Sequence, residues 1–139
     1  ADIFIAVAAV ADYRPATSAE QKIKKTDSGL TINLEPTVDI LAKIAKHARK
    51  SIDARKNGTP PFCVGFAAES EKVEQYGAEK RARKGIPLLI ANHAQSAFGA
   101  DENQVTLIDE RGAEGAKRLP RMGKLELARA IVQDISSRN

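Results

Sequence analysis

The sequence predicts an α/β domain, a three-layer parallel sheet with helices on both faces. Three observations carry this. Short, uniformly apolar runs recur at residues 2–10, 62–68 and 87–93. Segments whose apolar residues return at helical spacing separate them. A last amphipathic segment closes the chain. Parallel strands need long crossovers, and strand–helix–strand–helix–strand supplies them.

Each element has its own signal. Residues 2–10, "DIFIAVAAV", are β-branched and small without helical period, which predicts a buried strand. Residues 11–21 read as loop. "KIKK" (22–25) and "LTINLEP" (30–36) flank "TDSG", a turn signal that predicts a hairpin. Thr37 or Asp39 can cap a helix in which Ile40, Leu41, Ile44, Ala45 and Ala48 share a face, until "KNGTPP" stops it near 57. "FCVGFAA" (62–68) is a buried strand. A charged helix follows over about 69–84, ended by Gly85 and Pro87. "PLLIANH" is a third buried strand, and 94–103 reads as loop. "QVTLIDE" alternates like a strand with one wet face, and "AKRLP" can pair with it across "RGAEG". A final helix spans about 123–137, with Leu125, Leu127, Ala128, Ile131, Val132 and Ile135 as its apolar side. The architecture is Rossmann-like.

Composition narrows the class. The chain has 139 residues, the usual size of one domain. Apolar residues are 42% and aromatics 4%, so the core is aliphatic. The single cysteine, Cys63, excludes an internal disulfide, fits a reducing cytoplasm and reads as core. No apolar segment approaches membrane-spanning length and no signal peptide is evident. The net charge of +4 suits anionic ligands. A phosphorylated small molecule is favoured over nucleic acid, because aromatics for stacking and nucleic-acid motifs are lacking. Ala1 enters a strand almost at once, so the sequence is expected to be the later part of a longer protein.

In such sheets, ligands sit outside the carboxyl ends of the strands. Three strand ends therefore matter: Asp12, Tyr13 and Arg14; "GFAAES" (65–70); and Ala91, Asn92 and His93. Ala8, Ala9, Gly65, Ala67 and Ala68 are small enough to admit a ligand close to the backbone, or to allow tight helix–sheet packing. Asp12 can hold a ribose hydroxyl, a base amino group or a metal ion, or simply form a turn. His93 lacks an evident partner and is more often structural. Lys22 and Lys24 share one face of an extended segment; an anion between them, or protection of a sheet edge, explains the pair. Lys80 and Lys84 stand one helical turn apart with no acid three or four residues earlier, on a stripe with Val73 and Gly77. An anionic ligand explains this; the helix dipole explains the charge gradient alone. Such a helix is expected to carry its last turn away from the preceding strand's carboxyl end. There is no Gly-x-Gly-x-x-Gly, no Walker loop and no zinc-ligand spacing.

These motifs together carry a resemblance. "AAVADYRP", "KIKK", "TVDILAKIA", "VGFAAES", "KRARKG", "LLIAN" and "FGADENQVTLI" occur in the order and spacing of one enzyme family. The sequence closely resembles the phosphopantothenoylcysteine synthetase domain of bacterial coenzyme A biosynthesis, over nearly the whole chain. In bacteria that domain usually follows a flavin-dependent decarboxylase, so FMN belongs only to a decarboxylase portion absent from these 139 residues. The resemblance implies CTP-dependent ligation of 4′-phosphopantothenate to L-cysteine through an acyl-cytidylate, in the cytoplasm, with Mg²⁺ and CTP.

The resemblance also implies a site. Ala6, Val7, Ala8 and Asp12 should hold the cytidine. Lys22 should contact the triphosphate and assist conversion of the acyl-cytidylate. Thr37, Val38, Asp39, Ile40 and Phe66 should line the nucleotide pocket, and Lys80 and Lys84 should bind phosphates. Family members commonly carry Asn-Pro where this chain has Thr37 and Val38. The family is dimeric, with a β-extension corresponding to "KIKK"–"LTINLEP" near the partner. It also has an earlier strand–helix portion, with a glycine-rich motif and an asparagine that grips the acyl-cytidylate. Residues 1–139 are thus expected to be the C-terminal part of the synthetase domain. Two other readings stand beside the ligase: a nucleotide-binding half-domain without catalysis on its own, and a nicotinamide-dependent oxidoreductase, which the missing glycine fingerprint disfavours.

Overall fold

A computed structural model describes residues 1–25, 27–54, 60–93 and 101–138; the side chains of 51–54 and of His93 lie outside the description. The elements run β1 (Ile3–Ala6), β2 (Tyr13–Pro15), β3 (Leu34–Pro36), α1 (Ile40–Ala54), β4 (Phe62–Glu69), α2 (Val73–Lys84), β5 (Leu88–His93), β6 (Glu102–Asn103), β7 (Val105–Ile108), β8 (Lys117–Arg118), β9 (Met122–Gly123) and α3 (Lys124–Ser136). Residues 56–59 of the predicted stop, the Thr26 turn position and most of the loop from 94 fall outside the described residues.

The main sheet is mixed, in the order β1-β4-β5-β7-β8. Strands β1, β4 and β5 are parallel, while β7 and β8 are antiparallel. The pairing of "QVTLIDE" with "AKRLP" is present as β7–β8, with Thr106 opposite Arg118. Two-residue periodicity divides β4 between two cores. Cys63 and Ala67 join Leu41 and Ala45 of α1, Val73 of α2, and Leu89, Ala91 and Ile108. Val64 joins Leu88, Ile90, Val105, Leu107 and the Leu127, Ile131, Ile135 stripe of α3. Helices thus cover both faces. Each fully buried Leu or Ile in these clusters is worth about 1.5–3 kcal/mol over its exposed state.

Glycines set the closest approaches. A Cβ on Gly65 would come within 2.8 Å of Ile86 Cδ1 and of Leu41 Cδ2. On Gly77 of α2 it would come within 2.4 Å of Ile108 Cδ1. Tight packing therefore accounts for Gly65, and for Ala67 in the core; neither is small to admit a ligand.

Three expectations are corrected. The strand predicted over 2–10 spans only Ile3–Ala6, and it is not buried. It pairs only with β4 among the described residues, so Ile3, Ile5, Val7 and Val10 remain exposed. The predicted hairpin between 22–25 and 30–36 does not form. Instead Tyr13–Pro15 pairs antiparallel with Leu34–Pro36. Arg14 and Glu35, opposite one another, form an ion pair at 2.7 Å, and Thr37 N–H extends the ladder to the Asp12 carbonyl at 2.8 Å. Residues 22–25 carry lysines that water solvates better than a strand partner would. Finally, Leu125 and Val132, predicted on the apolar side of α3, are exposed.

Candidate functional site

A cleft of about 600 Å³ opens along β1 and beyond its carboxyl end. Its walls come from four segments. The chain leaving β1 supplies Ala6, Val7, Ala8, Ala9 and Asp12. The turn before α1 supplies Thr37, Val38, Asp39 and Ile40. Strand β4 contributes Phe66, and α2 contributes Lys80, Arg83 and Lys84. Every residue expected on the nucleotide lines this cleft except Lys22. That lysine stands on the exposed 16–25 stretch and is not part of the cleft wall.

Local bonds fix the walls. Thr37 joins the two sides of the β2–β3 ribbon: its amide donates to the Asp12 carbonyl and its hydroxyl to the Ala11 carbonyl. Of the two expected helix caps, Asp39 is the one used. Its Oδ1 accepts the Ala42 amide at 3.0 Å, and its carbonyl accepts the Lys43 amide at 3.0 Å.

The cationic side is more connected than the sequence spacing implies. Lys80 pairs with Glu69 at 2.6 Å, and Lys84 with Asp39 at 2.5 Å. The lysines lack local acid partners but not distant ones. The stripe itself is real: Val73 and Gly77 are buried, and the lysines continue that side. Partial burial opposes ionisation of Asp39, but the Ala42 amide and the Lys84 ammonium outweigh it. Their balance holds the carboxyl below its usual range.

The packing explains how the end of α2 reaches this place. Helix α1 starts level with the middle of the sheet, where Leu41 lies over Gly65 beside Ile86. The last turn of α2 therefore runs beside the first turn of α1. Helical side chains also lean toward the N-terminus, which carries the long lysine stem at 80 back to Glu69 at the end of β4. The expectation that this turn lies far from the site is thus corrected.

Arg83 is a cleft residue that spacing alone hid. Glu79, four positions earlier, makes it look like half of a surface pair; yet Glu79 Oε1 accepts from Gln75 Nε2 at 3.3 Å. Tyr13 and Arg14 belong to β2, where Arg14 is paired with Glu35. Cys63 is buried and packs as core, its thiol pushed up by desolvation. No group of three metal-ligating side chains occurs among the described residues. No described helix is long and apolar enough to cross a membrane.

Comparison with known proteins decides the family. Residues 1–138 match the model of the DNA/pantothenate metabolism flavoprotein C-terminal domain. The chain belongs to this family. The coenzyme A biosynthesis bifunctional protein CoaBC of Bacillus subtilis is 38% identical over 98% of the chain, and that of Vibrio cholerae 42% over 94%. The alignment takes in 31% of each of those proteins, so the chain spans about a third of their length. A crystal structure of the C-terminal domain of a CoaBC protein superposes with a TM-score of 0.66 at 31% identity, covering 98% of this chain and 56% of the other. The flavoprotein of that name from Streptococcus pneumoniae shares the fold, with a TM-score of 0.71 at 17% identity, covering 99% and 64%. The chain therefore has the α/β fold of its solved relatives.

Proposed function

We propose that this domain acts in coenzyme A biosynthesis as the CTP-gathering part of a phosphopantothenate–cysteine ligase. One observation carries the reading. Apart from Lys22, the residues that the family resemblance assigns to the nucleotide, scattered from Ala6 to Lys84, line a single cleft with three cationic side chains on one wall.

The chemistry explains why that wall is cationic. The carboxylate of 4′-phosphopantothenate attacks the α-phosphorus of CTP. The bond from that phosphorus to the bridging oxygen breaks, and pyrophosphate leaves. The cysteine amine then attacks the acyl carbon of the acyl-cytidylate. CMP leaves and the amine loses a proton as the amide forms. Two anions meet in the first step, so positive charge must offset their repulsion. Lys80, Arg83 and Lys84 provide it along the triphosphate. The apolar backbone run Ala6–Ala8 lets the cytidine approach closely, and Asp12 accepts hydrogen bonds from it.

Mg²⁺ fits this cleft in a limited way. Asp12 and Asp39 are its wall carboxylates, and Asp39 is already paired with Lys84. Magnesium commonly uses one or two carboxylates together with substrate phosphates. Asp12 would hold the ion together with the phosphates, in place of its contact with the cytidine, and the ion would supply charge neutralisation there.

Lys22 must be carried to the cleft for its assigned role in converting the acyl-cytidylate. Movement of its exposed segment, or a second copy of the chain, would do this. Ile23, Leu30, Ile32 and Leu34 are all more than half exposed on that extension, which supports its use in a homodimer. The separation of Lys22 also favours a second reading, a nucleotide-binding half-domain that does not catalyse alone.

Calorimetry of this chain with CTP and ATP tests nucleotide binding. Pyrophosphate release with CTP and phosphopantothenate, in a protein that includes the preceding strand–helix portion, tests the ligase. Saturable CTP binding here with no release there leaves the half-domain. No nucleotide binding in either protein overturns both.

A further inference from the structure

A second cavity, of about 620 Å³, lies beside the amino ends of β4 and β5, on the other side of the last turn of α2 from the cleft. It shares no lining residue with the cleft. Its walls are largely apolar and include Ala48, Phe62, Cys63 and Ile86. Two guanidinium groups, of Arg49 and Arg81, stand among them.

The placement of these two cations is unusual. A Cβ built on Gly85 would fall 2.4 Å from Arg49 Nη1 and Nη2, so the Arg49 head group is seated directly on that glycine. Arg81 donates through Nη1 to the carbonyl of the next residue, Ile86, at 2.8 Å. The two head groups thus meet adjacent residues. Among the described residues, neither forms an ion pair. Arg81 Nε is buried with no hydrogen-bond partner at all.

The end of α2 accounts for part of this. Its free carbonyls favour a nearby cation, and the Arg81–Ile86 bond uses that preference. They do not account for a second guanidinium that forms no ion pair among the described residues. Two cations beside an apolar cavity define the chemistry of a ligand that would neutralise them. A carboxylate accepts from guanidinium in forked geometry, and an aliphatic body fills the apolar walls.

We propose that this cavity is a second ligand site, which takes a small organic monocarboxylate with an apolar body. Its carboxylate bonds the guanidinium groups of Arg49 and Arg81, and its chain lies against Ala48 and Phe62. This site is independent of the nucleotide reading and needs no CTP.

Octanoate is the probe, titrated into the chain by calorimetry and followed by amide NMR. Saturable binding is expected, with perturbed amides at Ala48, Ala82 and Ile86 rather than at Asp12 and Asp39. Arg49→Met, which keeps the stem but removes the charge, should weaken binding about tenfold. Ala48→Leu should weaken it by filling the cavity, and 1-octanol should bind more weakly than octanoate. Three results would overturn the proposal: no saturable octanoate binding; perturbations confined to the cleft; or inorganic phosphate binding these arginines as tightly as octanoate does. The amide map of the unaltered chain keeps the test decisive if either variant fails to fold.

Discussion

Asp39 and Lys84, 45 positions apart, meet across the first turn of α1 and the last turn of α2. One carboxylate oxygen caps α1 through the Ala42 amide, and the other receives the Lys84 ammonium at 2.5 Å. A single side chain therefore starts one helix, ties it to the next and sets the charge of the cleft wall. Asp39 thereby neutralises one of the three cations on that wall.

Substitution separates these roles. Asp39→Asn keeps a cap acceptor and removes the charge, whereas Asp39→Ala removes both. Asp39→Ala should cost about 1 kcal/mol for the lost cap, and Asp39→Asn clearly less. The ion pair adds little to either, because the Asp39 side chain is 47% exposed. Urea denaturation checks this ordering. Equal losses from both variants would show that the Lys84 contact, not the cap, dominates.

Lys80 answers a different question. It is less exposed than Asp39, and its partner Glu69 less still. Lys80→Gln leaves Glu69 without its counter-charge and removes one cation from the cleft. If the cleft holds a triphosphate, this variant should weaken CTP binding about tenfold or more, since hydrogen bonds to charged groups are worth about 1.5–3 kcal/mol. Glu69→Gln frees Lys80 and should not weaken binding comparably. Calorimetry on the two variants distinguishes them; equal weakening would assign Lys80 to structure rather than to ligand.

Acid should loosen the opposite side of the sheet. Asp109 is buried at the end of β7, and Arg111, together with Arg138, holds its carboxyl far below the usual range. Burial raises the Asp134 carboxyl, but Arg138 and Lys117 more than offset this and leave it lowered. Both groups bind protons less readily when folded. Their stabilisation is therefore fully present above the unfolded carboxylate value of about 4, and is lost as pH falls toward the folded values. The urea midpoint should drop below about pH 4, and Asp109→Asn should flatten that drop while lowering the plateau at neutral pH. A midpoint independent of pH in this range would mean that the network contributes nothing.

The sequence makes the parallel strands and the three helices legible because each has a strong period or a strong stop. It makes β1 misleading: "IFIAVAAVA" has the composition of a buried strand, yet burial depends on neighbours, and β1 has only β4 beside it among the described residues. The hairpin prediction fails for a related reason. A turn signal fixes where a chain can bend, not which segments pair, and Arg14 finds Glu35 across 21 positions. For the cleft, one stripe on α2 leads to Lys80 and Lys84, which both line its wall. Their acid partners lie 11 and 45 positions away, beyond any local rule, and Arg83 is concealed by Glu79 at helical spacing.

Gly77 tests the packing that delivers this stripe. It sits between Val73 and Lys80 on the inner face of α2, and Ile108 fills the space a side chain would need. An alanine would gain helix propensity of about 1 kcal/mol over glycine. Its Cβ would nonetheless lie 2.4 Å from Ile108 Cδ1, inside a core where Ile108 is fully buried. Overpacking of that kind costs about 1–3 kcal/mol, so Gly77→Ala should destabilise despite the better helix former. The paired variant Gly77→Ala with Ile108→Val removes the obstructing methyl and should recover part of the loss. If the single variant is more stable than the parent in urea, α2 is not pressed onto β7 as described, and the reach of Lys80 and Lys84 into the cleft loses its structural basis.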